Sequence, residues 1–212
     1  MKVDFHVHSK YSPDSSTEPK DLIKYAKKIG LAGFAITDHN SFGAYETVKD
    51  EKEIMIIPGI EVSTLSGHVI GLWVKGNIPK DMSVEETIIK IHESGGIAVA
   101  VHPYRYITGL KEKNVRANKF DLIEIMNGRC LTHNNKRSEI LAKSLNLPVS
   151  AGSDAHYLEE LGRVYLELEN LSIEGMLKNA NHADGSSRDI KGTIKYSGKV
   201  VKEWIHRDFK RI

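Results

Sequence analysis

Two histidines two residues apart, with an aspartate six residues beyond the second, open the chain: the segment VDFHVHSKYSPDSS (3–16) carries His6, His8 and Asp14. On an extended strand, side chains at i and i+2 share a face and lie roughly 6–7 Å apart along the backbone. Two imidazoles at that spacing can converge on one cation; the plainer alternative is a pair of rings satisfied by hydrogen bonds. The same residue types recur along the chain, as His39 in ITDHNS, Glu61 in PGIEVS, His68 in SGHVIGL, His102 in VAVHPYR, and Asp154 with His156 in SAGSDAH. Singly, each reads as a satisfied polar residue. Gathered at one place, they would cost several kcal/mol in burial and mutual repulsion unless something compensated them. Divalent cations do so, and a mixed nitrogen and oxygen donor set suits Zn²⁺, Mn²⁺ or Fe²⁺ rather than Ca²⁺ or Mg²⁺ alone. Nine candidates are too many for one ion and enough for three, with a carboxylate, here assigned to Glu61, shared between two of them.

The elements needed to gather these residues are legible as apolar runs alternating with amphipathic ones. Strands are predicted over 2–7, 33–37, 53–63, 68–74, 97–101, 120–126, 147–152 and 163–169, and helices over 18–30, 83–96, 134–146 and 172–180. Pro19 suits a first helical turn, Gly30 the residue past a helix end, and Ser83 with Glu86 a capping box. The alternation predicts an α/β protein with a largely parallel sheet. Nearly every predicted strand ends in, or is followed by, one of the nine residues; the strand in 53–63 is expected to end at Pro58–Gly59 or just past it, with Glu61 following, and His68 opens the neighbouring strand. Parallel α/β folds collect their active sites at that edge. From His182 onward the sequence turns polar and glycine-rich, as expected of a loop or small hairpin, before a closing helix over 200–211 with Val201, Trp204, Ile205 and Phe209 on one face.

Bulk properties narrow the class. The 212 residues suffice for a substantial core, and a net charge of +2 does not call for a nucleic-acid partner. One cysteine, Cys130, rules out a disulfide framework and fits a reducing compartment. No apolar leader segment and no run of membrane-spanning length is evident, so a cytoplasmic location without membrane partners is expected.

DFHVHSKYSPDS, ITDHN, GIEVS, HVIGL, HPYR and GSDAH resemble, in order from residue 4 to 156, the successive motifs of the PHP (polymerase and histidinol phosphatase) superfamily. The resemblance implies a distorted (β/α)₇ barrel formed by a single domain over 1–212, with a trinuclear metal centre and phosphoesterase activity. By position, it implies that His6, His8, Glu61 and Asp154 hold one ion, Glu61, His68 and His102 a second, and Asp14, His39 and His156 the third. All nine positions carry the expected residue type. Only 33 residues separate His68 from His102, too few for the helical cap that nucleotide-cleaving relatives insert there.

The chemistry expected is attack on a phosphate ester by a hydroxide that the ions generate near neutral pH. Arginines at the same edge would take the remaining phosphate oxygens, since the guanidinium fork binds two oxygens at once. Arg105 and Arg163 are the favoured candidates and Arg129 a third. Asp4 and Asp38 are candidates to orient an imidazole, Asp4 being equally placed to bind a backbone group at the barrel floor; Asn127 is a candidate to line the pocket, and His133 to protonate a leaving group. The expected substrate is a small or nucleotide-like phosphate ester. Two alternatives are an exonuclease acting on nucleic-acid ends, with Tyr11, Tyr104 or Tyr106 stacking bases, and a metal-binding accessory module without turnover. Oligomeric state is left open.

Overall fold

Short, largely buried runs, apolar except where they carry site residues, build most of the sheet. In the computed structural model, which describes residues 1–178 and 182–187, β1 (Lys2–Val7), β2 (Gly33–Ile36), β3 (Met55–Thr64), β4 (Gly67–Leu72), β5 (Ile97–Ala100), β6 (Leu122–Asn127), β7 (Val149–Gly152), β8 (Val164–Glu167) and β9 (His182–Gly185) form one sheet in the order β7-β6-β5-β4-β3-β2-β1-β8-β9. Strands β2 and β5 are buried throughout, as expected of segments covered on both faces.

The sheet curls until β7 meets β1. His8 N donates to Ala155 O at 2.8 Å and Asp154 N to His6 O at 2.7 Å across this seam. Only glycine fits at 152, because a Cβ there would lie 2.6 Å from the His6 backbone nitrogen. Asp4 fastens the seam: its carboxylate accepts from Ser153 N at 2.8 Å, from the Ser153 hydroxyl, and from Gly162 N at 2.9 Å. Burial drives its pKa up to about 6 in spite of these donors. The result is the distorted, nearly closed barrel that the motifs imply.

The sheet is less parallel than the alternation suggested. Strands β1, β2 and β3 pair in parallel, as do β5, β6 and β7, but β4 is antiparallel to both its neighbours, and β8 runs antiparallel to β1. Only Leu65 and Ser66 connect β3 to β4, and so short a link closes a hairpin, not a crossover. This reversal explains how His68, at the start of a strand, reaches the edge where other strands end.

Helices cover the outside. In α1 (Pro19–Lys28), Leu22, Ile23 and Ala26 are buried, and Gly30 follows the C-cap residue at φ 76°. In α3 (Val84–Glu93), both bonds of the Ser83/Glu86 capping box form, and Val84, Thr87, Ile88 and Ile91 face inward. The helix α5 (Thr132–Leu145) begins two residues before its expected start. Two helices were not foreseen, α2 (Gly43–Val48) and α4 (Glu112–Ala117); they bury only two and one residues respectively, too few to print a helical stripe on the sequence. The helix expected over 172–180 is present as α6 (Ile173–Met176), and residues 179 and 180 lie outside the described ones. The polar stretch after 182 begins as strand β9, paired with β8. The closing helix over 200–211 lies outside the described residues.

Candidate metal centre

Strand β1 does the first part of the assembly. Val3 and Phe5 join one apolar cluster and Val7 another, because the pairing of β1 with β2 shifts register between Asp4 and Val7, and the polar Asp4, His6 and His8 of the same segment are all buried. Glu61 lies inside β3, opposite Ile70, and does not follow the strand as expected, because β3 continues past the barrel edge into its hairpin with β4. His39 forms an isolated bridge to Glu61 just beyond β2. His102 and Asp154 leave β5 and β7 with φ of 29° and 55°. For non-glycine residues this left-handed backbone costs of order 1–3 kcal/mol and persists only where its surroundings enforce it. Here Glu124 accepts the backbone N–H of His102 at 2.8 Å, and the seam bond from Asp154 N to His6 O holds the other.

The structure brings all nine candidates together. Their ligand atoms fall into four overlapping groups, each spanning no more than 4.8 Å: His8, Asp14, His39 and His156; His6, His102 and Asp154; His6, His8 and Glu61; and His39, Glu61 and His68. Glu61 is the hub. Its Oε2 lies 3.2 Å from His6 Nε2, 3.2 Å from His8 Nε2 and 3.3 Å from His39 Nδ1; its Oε1 lies 2.8 Å from His68 Nδ1 and 3.0 Å from His102 Nε2. Burial opposes its charge, yet the imidazoles of His39, His6 and His68 hold its pKa well below the usual carboxylate range.

Tautomers test whether this cluster fits cations. A neutral imidazole has one N–H, and a carboxylate only accepts. His6 faces an acceptor with both nitrogens, Glu124 Oε1 at 2.8 Å from Nδ1 and Glu61 Oε2 at 3.2 Å from Nε2. His156 does the same, with the Asp154 carbonyl 3.0 Å from Nδ1 and Asp14 Oδ2 2.8 Å from Nε2. In each neutral ring one lone pair must point at an oxygen, which is repulsive unless a cation lies between them. Among the described residues, the buried His102 Nδ1 and Asp14 Oδ1 have no hydrogen-bond partner, which would cost about 1–3 kcal/mol apiece if nothing bound there, and His8 Nε2 and His39 Nδ1 lie near Glu61 Oε2 without hydrogen-bond geometry. The residues present therefore fit divalent cations with nitrogen and oxygen ligands.

The protonation pattern agrees. Burial presses all these rings toward the neutral, ligating form. It wins at His39, which falls well below its ordinary value, at His102, which burial and the Arg105 charge lower to about 4, and at His156, lowered by burial, Arg129 and His8. Burial loses at His6, where the Asp154, Glu124 and Glu61 carboxylates raise the pKa well above normal, and at His8, raised to about 9 by Asp154 and Glu61. At those two rings the buried carboxylates favour a positive charge, which a proton or a cation can supply.

Of the cations expected to face phosphate, Arg105 is in place. Its Nη2 donates to Asp154 Oδ2 and, at 3.0 Å, to Asn127 Oδ1, while a quarter of its side chain stays exposed. Arg163 does not join: its side chain is exposed, and among the described residues its guanidinium makes no hydrogen bond or ion pair. Preceding a strand that starts at the barrel edge put it at the right height but not on the inward face. Arg129 is nearly buried, with Nε 3.9 Å from Glu160 Oε2. Neither Asp4 nor Asp38 orients an imidazole; Asp38 holds Ser9 through the backbone N–H at 2.6 Å and the hydroxyl at 2.7 Å.

Two residues that do orient the rings were missed. Ser12 Oγ lies 2.9 Å from His8 Nδ1 and accepts His39 N–H at 2.8 Å. Glu124 holds His6. A serine in a turn sequence gives no signal, but a glutamate in the middle of the apolar run FDLIEIM (120–126) does.

A family model described as the PHP domain matches residues 4–176. An uncharacterized protein of Methanocaldococcus jannaschii is 43% identical over 140 residues, covering 60% of this chain and 82% of that protein. Among solved structures, a two-domain Bacteroides vulgatus protein containing a predicted PHP-like metal-dependent phosphoesterase superposes with a TM-score of 0.67 at 17% identity, covering 88% of this chain and 65% of that one. A lesion-specific endonuclease of Pyrococcus furiosus gives 0.66 at 16% identity, covering 92% and 66%. The chain thus spans about two thirds of the length of these two proteins.

Proposed function

The chain belongs to the PHP domain family, and from that premise we propose that it is a metal-dependent phosphoesterase that hydrolyses a phosphomonoester or nucleotide-like ester. The observation that carries the reading is Glu61 within 3.3 Å of five imidazole nitrogens, a buried arrangement that is consistent only with cations or extra protons in its midst. His6, His8, Glu61 and Asp154 would hold one ion, Glu61, His68 and His102 a second, and Asp14, His39 and His156 a third. Bound there, divalent ions would supply a water of lowered pKa and neutralise charge on the phosphoryl oxygens; Mn²⁺, Zn²⁺ and Fe²⁺ match the donor set.

The protein's own contribution is position and charge. Arg105 is the partly exposed cation of the cluster, tied by one nitrogen to Asp154 and Asn127. Its remaining N–H groups can take phosphate oxygens in a fixed direction. Buried Arg129 adds positive potential beside His156. Such preorganised charge in a water-poor site acts on the transition state without reorganising.

One observation favours a second reading, cleavage at a nucleic-acid end. Tyr106 follows Arg105 directly and is 91% exposed, and Lys111 Nζ pins its loop through the Arg105 carbonyl, at 2.7 Å, and the Tyr106 carbonyl, at 2.5 Å. An exposed aromatic ring on a pinned loop beside the arginine is a platform for a base. Tyr104, by contrast, is engaged with Glu112 and Arg137.

Metal analysis of chelator-free protein, followed by assay of phosphomonoesters, phosphodiesters and short oligonucleotides with added Mn²⁺, tests both. The expected result is about two to three metal equivalents and turnover of at least one ester class that His102→Ala and Asp154→Ala each abolish while the fold survives. Near-zero metal content, or full activity in either variant, refutes the assignment.

A further inference from the structure

Strand β6 carries a feature that the nine-residue cluster does not use. In a regular strand, residues three apart face opposite sides. The pairing of β6 with β7 shifts register between Glu124 and Met126, leaving Ile125 as an extra residue, and such a bulge re-aims the side chains beyond it. Glu124 and Asn127 therefore both point into the barrel, 2% and 1% exposed, and bond each other through Asn127 Nδ2 and Glu124 Oε2 at 3.0 Å.

We propose that Glu124, which is not among the nine candidate ligands, is a positioning residue that sets cation affinity on the His6, His102 and Asp154 side of the centre. Its Oε1 takes the proton of His6 Nδ1 at 2.8 Å, which fixes the tautomer and turns the Nε2 lone pair toward Glu61 and Asp154. Its Oε2 takes the backbone N–H of His102 at 2.8 Å, so the same carboxylate enforces the left-handed backbone that aims the second ring. With three N–H donors on its two oxygens, Glu124 has little capacity left to be a ligand itself. Asn127 extends the brace: besides Glu124, it donates to Asp154 Oδ2 at 3.2 Å and accepts from Arg105 at 3.0 Å. The bulge thus links two candidate ligand rings, a ligand carboxylate and the phosphate-facing arginine through one buried pair. A carboxylate behind a ligating imidazole fixes its orientation and raises its basicity, and losing one typically costs 10–100-fold in metal affinity.

The inference rests on the metal-binding part of the proposed function, and its test needs no substrate. Metal-free full-length protein is titrated calorimetrically with Mn²⁺ as wild type, Glu124→Gln and Glu124→Asp, and again in an Asp14→Ala background that disables the opposite side. Glu124→Gln is expected to weaken one class of sites by about 10–100-fold and leave the other unchanged, with Glu124→Asp recovering part of the loss. In the Asp14→Ala background the weakened class is the one that remains. Unchanged affinity overturns the inference, as does equal weakening of every class, which would mean general loosening. Metal uptake without hydrolysis of any ester refutes the phosphoesterase reading alone, and no uptake by the wild type overturns both. Should the variants fail to fold, ¹⁵N spectra of His6 in the Zn²⁺-loaded wild type decide: protonation at Nδ1 alone is expected, and protonation at Nε2 overturns the assignment.

Discussion

On one side of Glu61, His6 and the His102 backbone are held by the Glu124 carboxylate, and Asp154 by the Arg105 guanidinium. On the other, His8 and His39 share the hydroxyl of Ser12, and His156 rests against the Asp154 carbonyl. On the first side a carboxylate acts directly on a ligand ring; on the second the rings meet neutral groups, the Ser12 hydroxyl and the Asp154 carbonyl, and carboxylates act only behind them, Glu160 Oε2 on the His156 backbone N–H at 3.1 Å and Asp38 on Ser9, while Ser15 Oγ ties the His8 and His156 carbonyls together at 3.3 and 2.9 Å. Charge-assisted bonds are roughly twice as strong as neutral ones, so the two sides are built to different stiffness. The exposed cation belongs to the first, which places phosphate recognition beside the stiffer half.

Glu61 belongs to both halves, and changing it should have the largest effect. Glu61→Gln keeps the shape but removes the negative charge that five imidazoles face. It should reduce turnover by more than the ~100-fold that bounds residues acting through a ligand and lower the metal content of both halves together. Atomic absorption beside the esterase assay reads this; loss of metal from one half only would mean that Glu61 is not shared.

The next largest effect separates the halves. Ser12→Ala removes a buried hydroxyl that serves His8 Nδ1 and His39 N–H at once. Stability should fall by about 1 kcal/mol, and affinity in the Asp14-containing half by about tenfold, with the ion of Glu61, His68 and His102 unmoved. Denaturant melts and metal titration measure the two numbers. Comparable weakening at His68 and His102 would show the sides to be one mechanical unit.

What the sequence told follows the same division. The nine clustered residues were readable because each follows or opens an apolar run, and strand ends are where a barrel gathers side chains. The barrel class and the ends of α1 and α3 were readable from periodicity and capping residues. Glu61 was placed just outside its strand because Pro58–Gly59 resembles a strand end, whereas β3 runs on to Thr64 through pairing with β4, a nonlocal cause. The braces were harder. Ser12 acts through a turn whose geometry depends on His39, 27 residues away. Asn127 reaches the interior because of a register shift against β7, which alternation within β6 cannot reveal. Asp4 offered two roles on one face, and only barrel closure, which brings Ser153 and Gly162 to it, decides between them.

The smallest effect concerns an arginine that belongs to neither half. Arg163 shares with Arg105 a place at the barrel edge and a nearby candidate ligand in sequence, and on those grounds the two looked equivalent. They differ in surroundings: Arg163 precedes β8, the penultimate strand of the sheet, and is exposed, whereas Arg105 lies in the loop that follows β5 and is tied to Asp154. Arg163→Ala should therefore leave stability within about 0.5 kcal/mol, as is usual for an exposed position, and change kcat/KM by less than about twofold, an amount corresponding to under ~0.5 kcal/mol. Arg105→Ala, measured in parallel on the same ester, should lose far more, because it strips Asp154 of its buried counter-charge as well as removing the phosphate donor. If the two variants lost activity equally, the centre would extend across the β1–β8 pairing, and the two-sided description of the site would give way to one with a third wall.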